Sequence, residues 1–352
     1  MRSDPDSLSE GMSYWGHWQD QHQYQAACDS AYGQLTLVRG PAEFSSDGVT
    51  VVCVARNEAD RLPSFLAHYR KLGVRHIHVI DNSSNDHTRD IAGSWPRTTV
   101  WSTSASYAAA AFGQLWIAAI VRRHGLGKWV LNVDVDEHLV YDGMDRRDIR
   151  SLCAWLRSRQ KTRLFAPLID MYPGLATVET KRGLLARLQK ALLNKLASGS
   201  MLKCYPFFDR SELSGSANYH FQETSKGMHV SGGVRSRVIA EPPEDVFCLS
   251  KVPLALWGEE TAYCNVHFPF PTSCNPHQNH GALLHFKFAG DFPGRVSDAI
   301  QENQHWKNCY EYRLYERWLG TRKPLFDEQY SVRYRGPDSL ISQGLLQPIA
   351  WS

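Results

Sequence analysis

Apolar and polar positions follow a repeating order of strand and helix over residues 49–136. Short runs rich in β-branched residues predict buried parallel strands, and apolar residues at helical spacing between them predict connecting helices. The predicted strands are Val49–Ala55, Val74–Asp81, Thr98–Thr103 and Lys128–Asp134. A strand returns roughly every 25 residues, which predicts an α/β fold with a mostly parallel, Rossmann-like sheet flanked by helices.

The second half of the chain is less regular. It contains a strand-like stretch at residues 163–172 and a predicted helix at residues 304–319. Segments rich in glycine, proline and aromatic residues separate them, so the sequence gives no clear sheet topology there.

Polar residues cluster where the predicted strands end. The three clusters are Arg56–Glu58, Asp81–Asn82 and Asp134–Glu137. In open α/β sheets, ligands bind beyond the carboxyl ends of the strands. The sequence therefore predicts one site at this edge of the sheet.

Asp134 and Asp136 alternate along an extended strand end, so both side chains can point the same way and bind one hard cation. Mg²⁺ and Mn²⁺ prefer such oxygen ligands and share their coordination with substrate phosphates. The apolar residues on both sides of these acids favour a buried strand end over a solvated turn.

Composition narrows the class of protein. The 352 residues carry a formal net charge of +3, too mild for a protein that coats nucleic acid, and the eight cysteines show no regular framework. The first residues lack the apolar core of a signal peptide, and the longest apolar run, residues 107–121, is too short for a membrane span. We expect a soluble, cytoplasmic protein.

Several segments together resemble a known family. They are "VVCVARNEADRLPSFLAHYRKLGVRHIHVIDNSSNDHT", "WVLNVDVDEHLVY", "LIDMYP", "GGVRSRV", "LSKVPL" and "LLHFKF". In this order, over roughly residues 49–340, they resemble the GT-A-fold glycosyltransferases, in particular the bacterial family-2-like branch.

The resemblance implies a GT-A domain at residues 48–340, with an N-terminal extension at 1–47 and a tail at 341–352. Residues 48–142 would form the nucleotide-binding half and residues 143–340 the acceptor-binding half. The implied activity is metal-dependent transfer of a sugar from a nucleoside-diphosphate sugar, UDP being favoured, to a glycan, lipid-linked or other hydroxyl acceptor. Such a reaction belongs to cell-surface polysaccharide synthesis, and the implied cofactor is Mn²⁺ or Mg²⁺.

The resemblance also assigns roles to individual residues. The implied metal ligands are Asp134, Asp136 and His285. The expected nucleotide and diphosphate contacts are Arg56, Asn57, Glu58, Asp81, Asn82, Gln114, Asp134, Arg235, Arg237 and Lys287. The two arginines alternate after a Gly-Gly pair and suit phosphate geometry, while Lys287 would share a strand face with His285.

The catalytic base is less clearly marked. Asp170 follows an apolar strand and is the preferred candidate, with Glu223 as a further one, whereas Glu137 is expected to orient ligands. The Glu244-Asp245 pair lies in a Pro-rich turn. The sequence leaves the inverting or retaining outcome open.

Other interpretations stay open. The amphipathic, basic segment Lys181–Leu196 predicts either a helix packed on the core or a peripheral contact with an anionic membrane, at its inner face, or with an anionic acceptor. Cys264, His267, Cys274 and His277 form two C-x-x-H pairs, for which a loop is favoured over a zinc site. The aromatic residues of the late helix indicate core packing, so no nucleic-acid partner is expected.

Two functions from other classes compete with sugar transfer. One is a hydrolase that cleaves the same nucleotide-sugar bond with water. The other is a non-catalytic carbohydrate-binding or membrane-associated module.

Overall fold

The computed structural model of the protein describes residues 21–174, 201–211, 218–240, 247–263 and 265–351. Its helices are α1 (Gln21–Gly33), α2 (Leu62–Lys71), α3 (Thr88–Ser94), α4 (Gln114–His124), α5 (Ile149–Ser158), α6 (Met201–Cys204), α7 (Phe292–Glu302), α8 (Trp306–Thr321) and α9 (Pro337–Ile341). Its strands are β1 (Thr36–Arg39), β2 (Val49–Ala55), β3 (His76–Asn82), β4 (Thr98–Thr103), β5 (Trp129–Asn132), β6 (Glu137–Val140), β7 (Arg163–Leu164), β8 (Leu168–Asp170), β9 (Phe207–Asp209), β10 (His220–Thr224), β11 (Gly227–Ser231), β12 (Leu254–Leu256), β13 (Ala262–Tyr263), β14 (Pro269–Phe270), β15 (Ala282–His285) and β16 (Ser331–Arg333). A single π-helical turn covers Arg235–Ile239, and a 3₁₀ turn covers Thr272–Cys274.

Seven strands form the main sheet in the order β1-β4-β3-β2-β5-β12-β7. The central strands β4, β3, β2 and β5 are parallel, whereas β1, β12 and β7 pair antiparallel with their neighbours. This confirms the predicted mixed α/β fold with a mostly parallel central sheet flanked by helices. The strand order reverses between β2 and β5, so the switch point of the sheet lies there.

The central strands β2 to β5 are buried on both faces, which explains their nearly continuous apolar sequences, whereas β1 at the edge is exposed. Alternate residues of β2 enter different cores because side chains of a strand point to opposite faces. Val51 and Cys53 pack in the core that contains Phe65 of α2. Val52 packs in a second core with Trp116 of α4.

Helix α4 is shorter than the apolar pattern of residues 105–125 predicts. Ala111 and Phe112 have φ of 50° and 56°, and Gly113 has φ of 78°, so the backbone is left-handed just before Gln114. A Cβ at Gly113 would lie 2.7 Å from the side chain of Val54, so this close approach favours glycine. The turn fixes where the helix begins.

Both ends of the described chain pack with the main body. Within residues 21–47, α1 buries Tyr24 and Cys28 against α4, and β1 extends the sheet beside β4. At the other end, Leu345 and Ile349 are buried in the main core. These stretches therefore belong to the same packed unit as the region expected to form the domain.

A smaller sheet has the order β6-β15-β8. Its register places His285 of β15 opposite Glu137 of β6 on one side and opposite Asp170 of β8 on the other. Three ionisable residues that are distant in sequence therefore lie in one row across the sheet.

No helix within the described ranges is long and apolar enough to cross a membrane. The basic segment Lys181–Leu196 lies outside the described residues.

Candidate functional site

The carboxyl ends of β2 and β5 bring the first acidic and basic groups together. Asp136 follows β5, and one of its oxygens accepts a hydrogen bond from Arg61 Nη1 at 2.9 Å. Arg61 directly precedes α2 and also pairs with Glu58, whose Oε2 lies 2.6 Å from Arg61 Nε. The acids at this edge therefore have a protein cation beside them.

His285 connects Asp136 to Asp170. Its Nδ1 lies 2.6 Å from Asp170 Oδ1, and because a carboxylate only accepts hydrogen bonds, this nitrogen is the donor. Its other ring nitrogen, Nε2, lies 3.7 Å from Asp136 Oδ2. The ring is thus fixed on one side and faces a carboxylate on the other.

Asp170 is enclosed, with only 1% of its side chain exposed. Its second oxygen accepts from Arg235 Nε at 2.8 Å, and Arg235 Nη1 reaches Glu311 at 3.1 Å. Burial alone would raise the pKa of Asp170, but the nearby charge of Arg235 and the hydrogen bond from His285 lower it below its usual value. A largely buried chain of ionisable side chains results, which we call the charge chain: Glu58, Arg61, Asp136, His285, Asp170, Arg235 and Glu311.

Lys251 holds a second group of acids. Its ammonium contacts both oxygens of Glu137, at 2.7 and 2.9 Å, and Asp134 at 3.4 Å. Burial raises the pKa of Glu137 to about 7, because the opposing effect of Lys251 is partly cancelled by Asp134. Asp134 itself has 51% of its side chain exposed and marks the open side of the cluster.

The electrostatic environment keeps Asp136 ionised. Burial would raise its pKa, but Arg61, then His285 and Lys287, outweigh that effect and hold the pKa well below the usual range of an aspartate. Lys287 follows β15 and lies over the ring of Tyr312, with Nζ 5.0 Å from the ring centroid. Positive charge therefore surrounds the carboxylate without closing off the neighbouring Asp134.

Several residues that were predicted to contact the nucleotide have hydrogen-bond partners outside the charge chain. Asp81 is fully buried and pairs with Arg89 at 2.6 Å, and Asn82 donates to the carbonyls of Thr103 and Ala105. Oδ1 of Asp81 is buried and has no hydrogen-bond partner among the described residues. The carboxyl end of β3 therefore offers one unused acceptor.

Three further predicted residues stabilise the local structure. Gln114 accepts from Asn132 at 2.7 Å, and Asn57 accepts from the backbone N–H of Asn85 at 2.9 Å. Arg56 pairs with Glu302 at 2.6 Å on the surface. These contacts tie the strand ends to neighbouring loops and to α7.

Arg237 and Glu223 pair with residues that do not belong to the charge chain. Arg237 makes two hydrogen bonds to Asp209, at 2.8 and 2.9 Å. It shares a π-helical turn with Arg235, so the alternation expected of an extended strand is absent there. Glu223 is exposed on the β10–β11 hairpin, and its Oε2 lies 3.7 Å from Nδ1 of His277. Neither residue is linked to the charge chain by an ion pair within the described ranges.

The structure adds three residues that the motifs did not reveal: Arg61, Lys251 and Glu311. Lys251 lies in the quoted segment "LSKVPL", and Arg61 follows the cluster after the first strand by three residues. Buried acids require a compensating charge, so the need for nearby cations could have been inferred, but their partners could not.

The C-x-x-H pairs do not form a described metal centre. Cys264 lies outside the described residues, and His267 Nδ1 lies 2.6 Å from the carbonyl of Ser250. In the described ranges, no group of three or more His, Cys, Asp or Glu side chains is arranged to hold a metal ion. A metal at the charge chain would therefore depend on fewer protein ligands and on oxygens of its substrate.

No protein-family model matches the chain. No curated protein matches it either.

Proposed function

We propose that the protein is a GT-A-type glycosyltransferase that moves a sugar from a nucleoside-diphosphate sugar, with UDP favoured, to a hydroxyl group of a glycan or lipid-linked acceptor. The observation that carries this proposal is the convergence of Asp136 and His285 Nε2 at 3.7 Å beside the switch point of a parallel sheet. A hydrogen bond holds each group in place: Arg61 donates to Asp136, and His285 donates to Asp170.

The donor set fits a divalent cation. Asp136 and His285 Nε2 would hold Mn²⁺ or Mg²⁺, with Asp134 beside them, and the diphosphate and water would complete the coordination. A bound cation would neutralise the negative charge on the departing diphosphate. The hydrogen bond from His285 Nδ1 to Asp170 supports this role, because metal-binding histidines commonly donate their second ring N–H to a carboxylate.

The nucleoside would lie over the carboxyl ends of β2 and β3. The unpartnered Oδ1 of Asp81 is buried, so it can accept an N–H from the base or a hydroxyl from the ribose only when neighbouring side chains move on binding. Arg56 is part-exposed and can turn from Glu302 toward the ligand. Glu58 instead holds Arg61 in place, so we propose a positioning role for it.

The acceptor would approach from the side of α8. A general base has to reach the acceptor hydroxyl, and Asp170 is buried with both oxygens engaged. Glu311 has 38% of its side chain exposed and lies next in the charge chain beyond Arg235. We therefore assign Asp170 to orienting His285 and place the base at Glu311.

Calorimetric titration of UDP, GDP and CDP, with and without Mn²⁺, tests the proposal. The wild type is compared with Asp136→Asn and with Asp298→Ala, an exposed acid on α7 that serves as the matched control. We expect one nucleotide to bind only with the metal, and this binding to be lost in Asp136→Asn and kept in Asp298→Ala.

Product analysis then separates the competing activities. Release of free sugar from the bound nucleotide sugar, unchanged by any added acceptor, would favour the hydrolase. Absence of metal-dependent nucleotide binding in the folded wild type would remove the basis of the transferase and favour a binding module.

A further inference from the structure

A second charged region lies at the amino ends of the parallel strands, whereas the charge chain lies at their carboxyl ends. A cleft of about 240 Å³ is present there. Its lining residues are Asp47, Arg70, Gly73, Val74, Arg75, Arg97, Asp148 and Arg150. Four arginines and two aspartates give this lining an excess of positive charge.

The arginines come from three separate parts of the chain, because Arg70 and Arg75 flank the same short loop. Arg70 lies in the last turn of α2, Arg75 directly precedes β3, Arg97 directly precedes β4, and Arg150 lies in the first turn of α5. Such a gathering is a property of the folded protein, since no basic run in the sequence produces it.

Arg70 is the decisive residue of this cleft. Its Nε and Nη1 are buried and have no hydrogen-bond partner in the described structure. Its Nη2 has only a long contact of 3.5 Å with the hydroxyl of Thr98. Burial and the nearby charge of Arg97 lower the pKa of Arg70 to about 10, as expected for a guanidinium without a counter-ion.

Neither of the two aspartates that line the cleft forms an ion pair with Arg70. Asp148 pairs with Arg150 at 2.8 Å and also caps α5 by accepting from the backbone N–H of Ser151. Asp47 is exposed, and its charge acts on Arg150. Arg70 has no carboxylate within ion-pair distance among the described residues, so Arg70, Arg75 and Arg97 remain available to an anion.

We propose that this cleft is a binding site for an anion that carries a phosphate group. A guanidinium presents several N–H donors in a planar fork that matches phosphate oxygens. Arg70 lines the cleft without a counter-ion among the described residues, and the exposed Arg75 and Arg97 add donors that an anion can reach. The cleft is large enough for the phosphate and part of the group esterified to it. The phosphate can belong to a free metabolite or to a lipid headgroup. This site is independent of the proposed transferase chemistry.

Calorimetric titration with inorganic phosphate at constant ionic strength tests the proposal. The variants are Arg70→Met and Arg97→Gln, and the matched control is Arg157→Gln, an exposed arginine at the other end of α5. We expect saturable binding to the wild type and the control, and about tenfold weaker binding to each of the other variants, because each loses a charge-assisted contact. Arg97 is exposed, so its variant keeps the test valid if Arg70→Met fails to fold.

Co-sedimentation with vesicles distinguishes the two sources of the phosphate. Binding to phosphatidylcholine vesicles that contain phosphatidic acid, lost in both variants, would identify a lipid headgroup. Phosphate binding without vesicle binding would identify a free phosphate-bearing molecule. The proposal is overturned if phosphate fails to saturate the wild type, or if all four proteins bind it equally. Metal-dependent nucleotide titration should be the same in Arg97→Gln as in the wild type.

Discussion

Charged side chains lie at both ends of the parallel strands. The two ends differ in whether their cations have carboxylate partners. At the carboxyl end, Arg61, Arg235 and Lys251 each have a carboxylate partner within 2.9 Å. At the amino end, Arg150 pairs with Asp148, but Arg70 has no carboxylate partner among the described residues. Paired cations fix the positions of acidic groups, whereas an unpaired cation retains its attraction for a ligand.

Burial explains why the pairing matters more at the carboxyl end. Asp170, Arg235 and Lys251 are almost completely buried there, so an unpaired charge would lose its solvation without compensation. Arg75, Arg97 and Arg150 at the amino end reach solvent, and water can screen their mutual repulsion. Substitutions at the two ends should therefore differ in size and sign.

The largest effect is expected for Arg235→Met. This change leaves the buried carboxylate of Asp170 with His285 as its remaining partner, and breaking such a pair costs about 3–5 kcal/mol of the free energy of unfolding. Urea unfolding of the variant and the wild type measures the difference. A loss below about 1 kcal/mol would mean that Asp170 is compensated by another group, and the contrast between the two ends would weaken.

Lys251→Met should destabilise the protein in a pH-dependent way. Burial raises the folded-state pKa of Glu137 to about 7, so stability contributed by its protonated form is lost as the pH rises through that value. Without Lys251 this pKa rises further. We expect a loss of about 3 kcal/mol near pH 8 and a smaller loss near pH 5, measured by urea unfolding at both values.

A second substitution controls this prediction. In Lys251→Met with Glu137→Gln, the buried carboxylate is gone, so the pH dependence should largely disappear. Equal losses at both pH values in the single variant would contradict the assignment of the effect to Glu137.

Asp170→Asn tests the positioning of His285. If the proposed metal site is correct, the amide holds the imidazole less firmly, and Mn²⁺-dependent nucleotide affinity should fall by about tenfold. Calorimetry with and without Mn²⁺ gives the measurement, and without the metal neither protein should bind the nucleotide. An unchanged affinity with Mn²⁺, in a variant that remains folded, would show that His285 keeps its orientation without Asp170.

The smallest effect, with the opposite sign, is expected for Arg70→Met. Removing a guanidinium that has two unpartnered nitrogens and lies near Arg97 should raise the free energy of unfolding by up to about 1 kcal/mol at low salt. Added salt should reduce the gain, because it screens the repulsion that the wild type experiences. Thermal unfolding in phosphate-free buffer across a salt series measures it, and a clear loss of stability would indicate an unrecognised partner of Arg70.

Much of the sheet could be predicted from the sequence because its central strands are buried on both faces. The bounds predicted for β2 and β4 agree with the structure, since nearly continuous apolar runs mark such strands clearly. The alternation of strands and helices also predicted that the polar residues after the strands lie close together, because the carboxyl ends of parallel strands meet at the same edge of the sheet. The convergence of Asp136 and His285 depends in addition on β15, whose pairing the sequence did not reveal.

The ion pairs could not be predicted in the same way. Arg61 and Asp136 are 75 residues apart, and Lys251 and Glu137 are 114 residues apart, so no local pattern connects them. The preference for Asp170 as a base illustrates the consequence. An acid after an apolar strand is visible in the sequence, whereas its enclosure by Arg235, 65 residues later, depends on tertiary packing.

The position of β12 has a consequence for the order in which the chain assembles. Strands β2 to β5 can pair as soon as they leave the ribosome, but the outer edge of β5 stays open until Leu254–Leu256 has been synthesised and inserted between β5 and β7. An open edge can pair with another chain, so the nascent protein is exposed to edge-to-edge aggregation during this interval. Slow codons or chaperone binding before residue 254 would therefore affect yield more strongly than the same events after it.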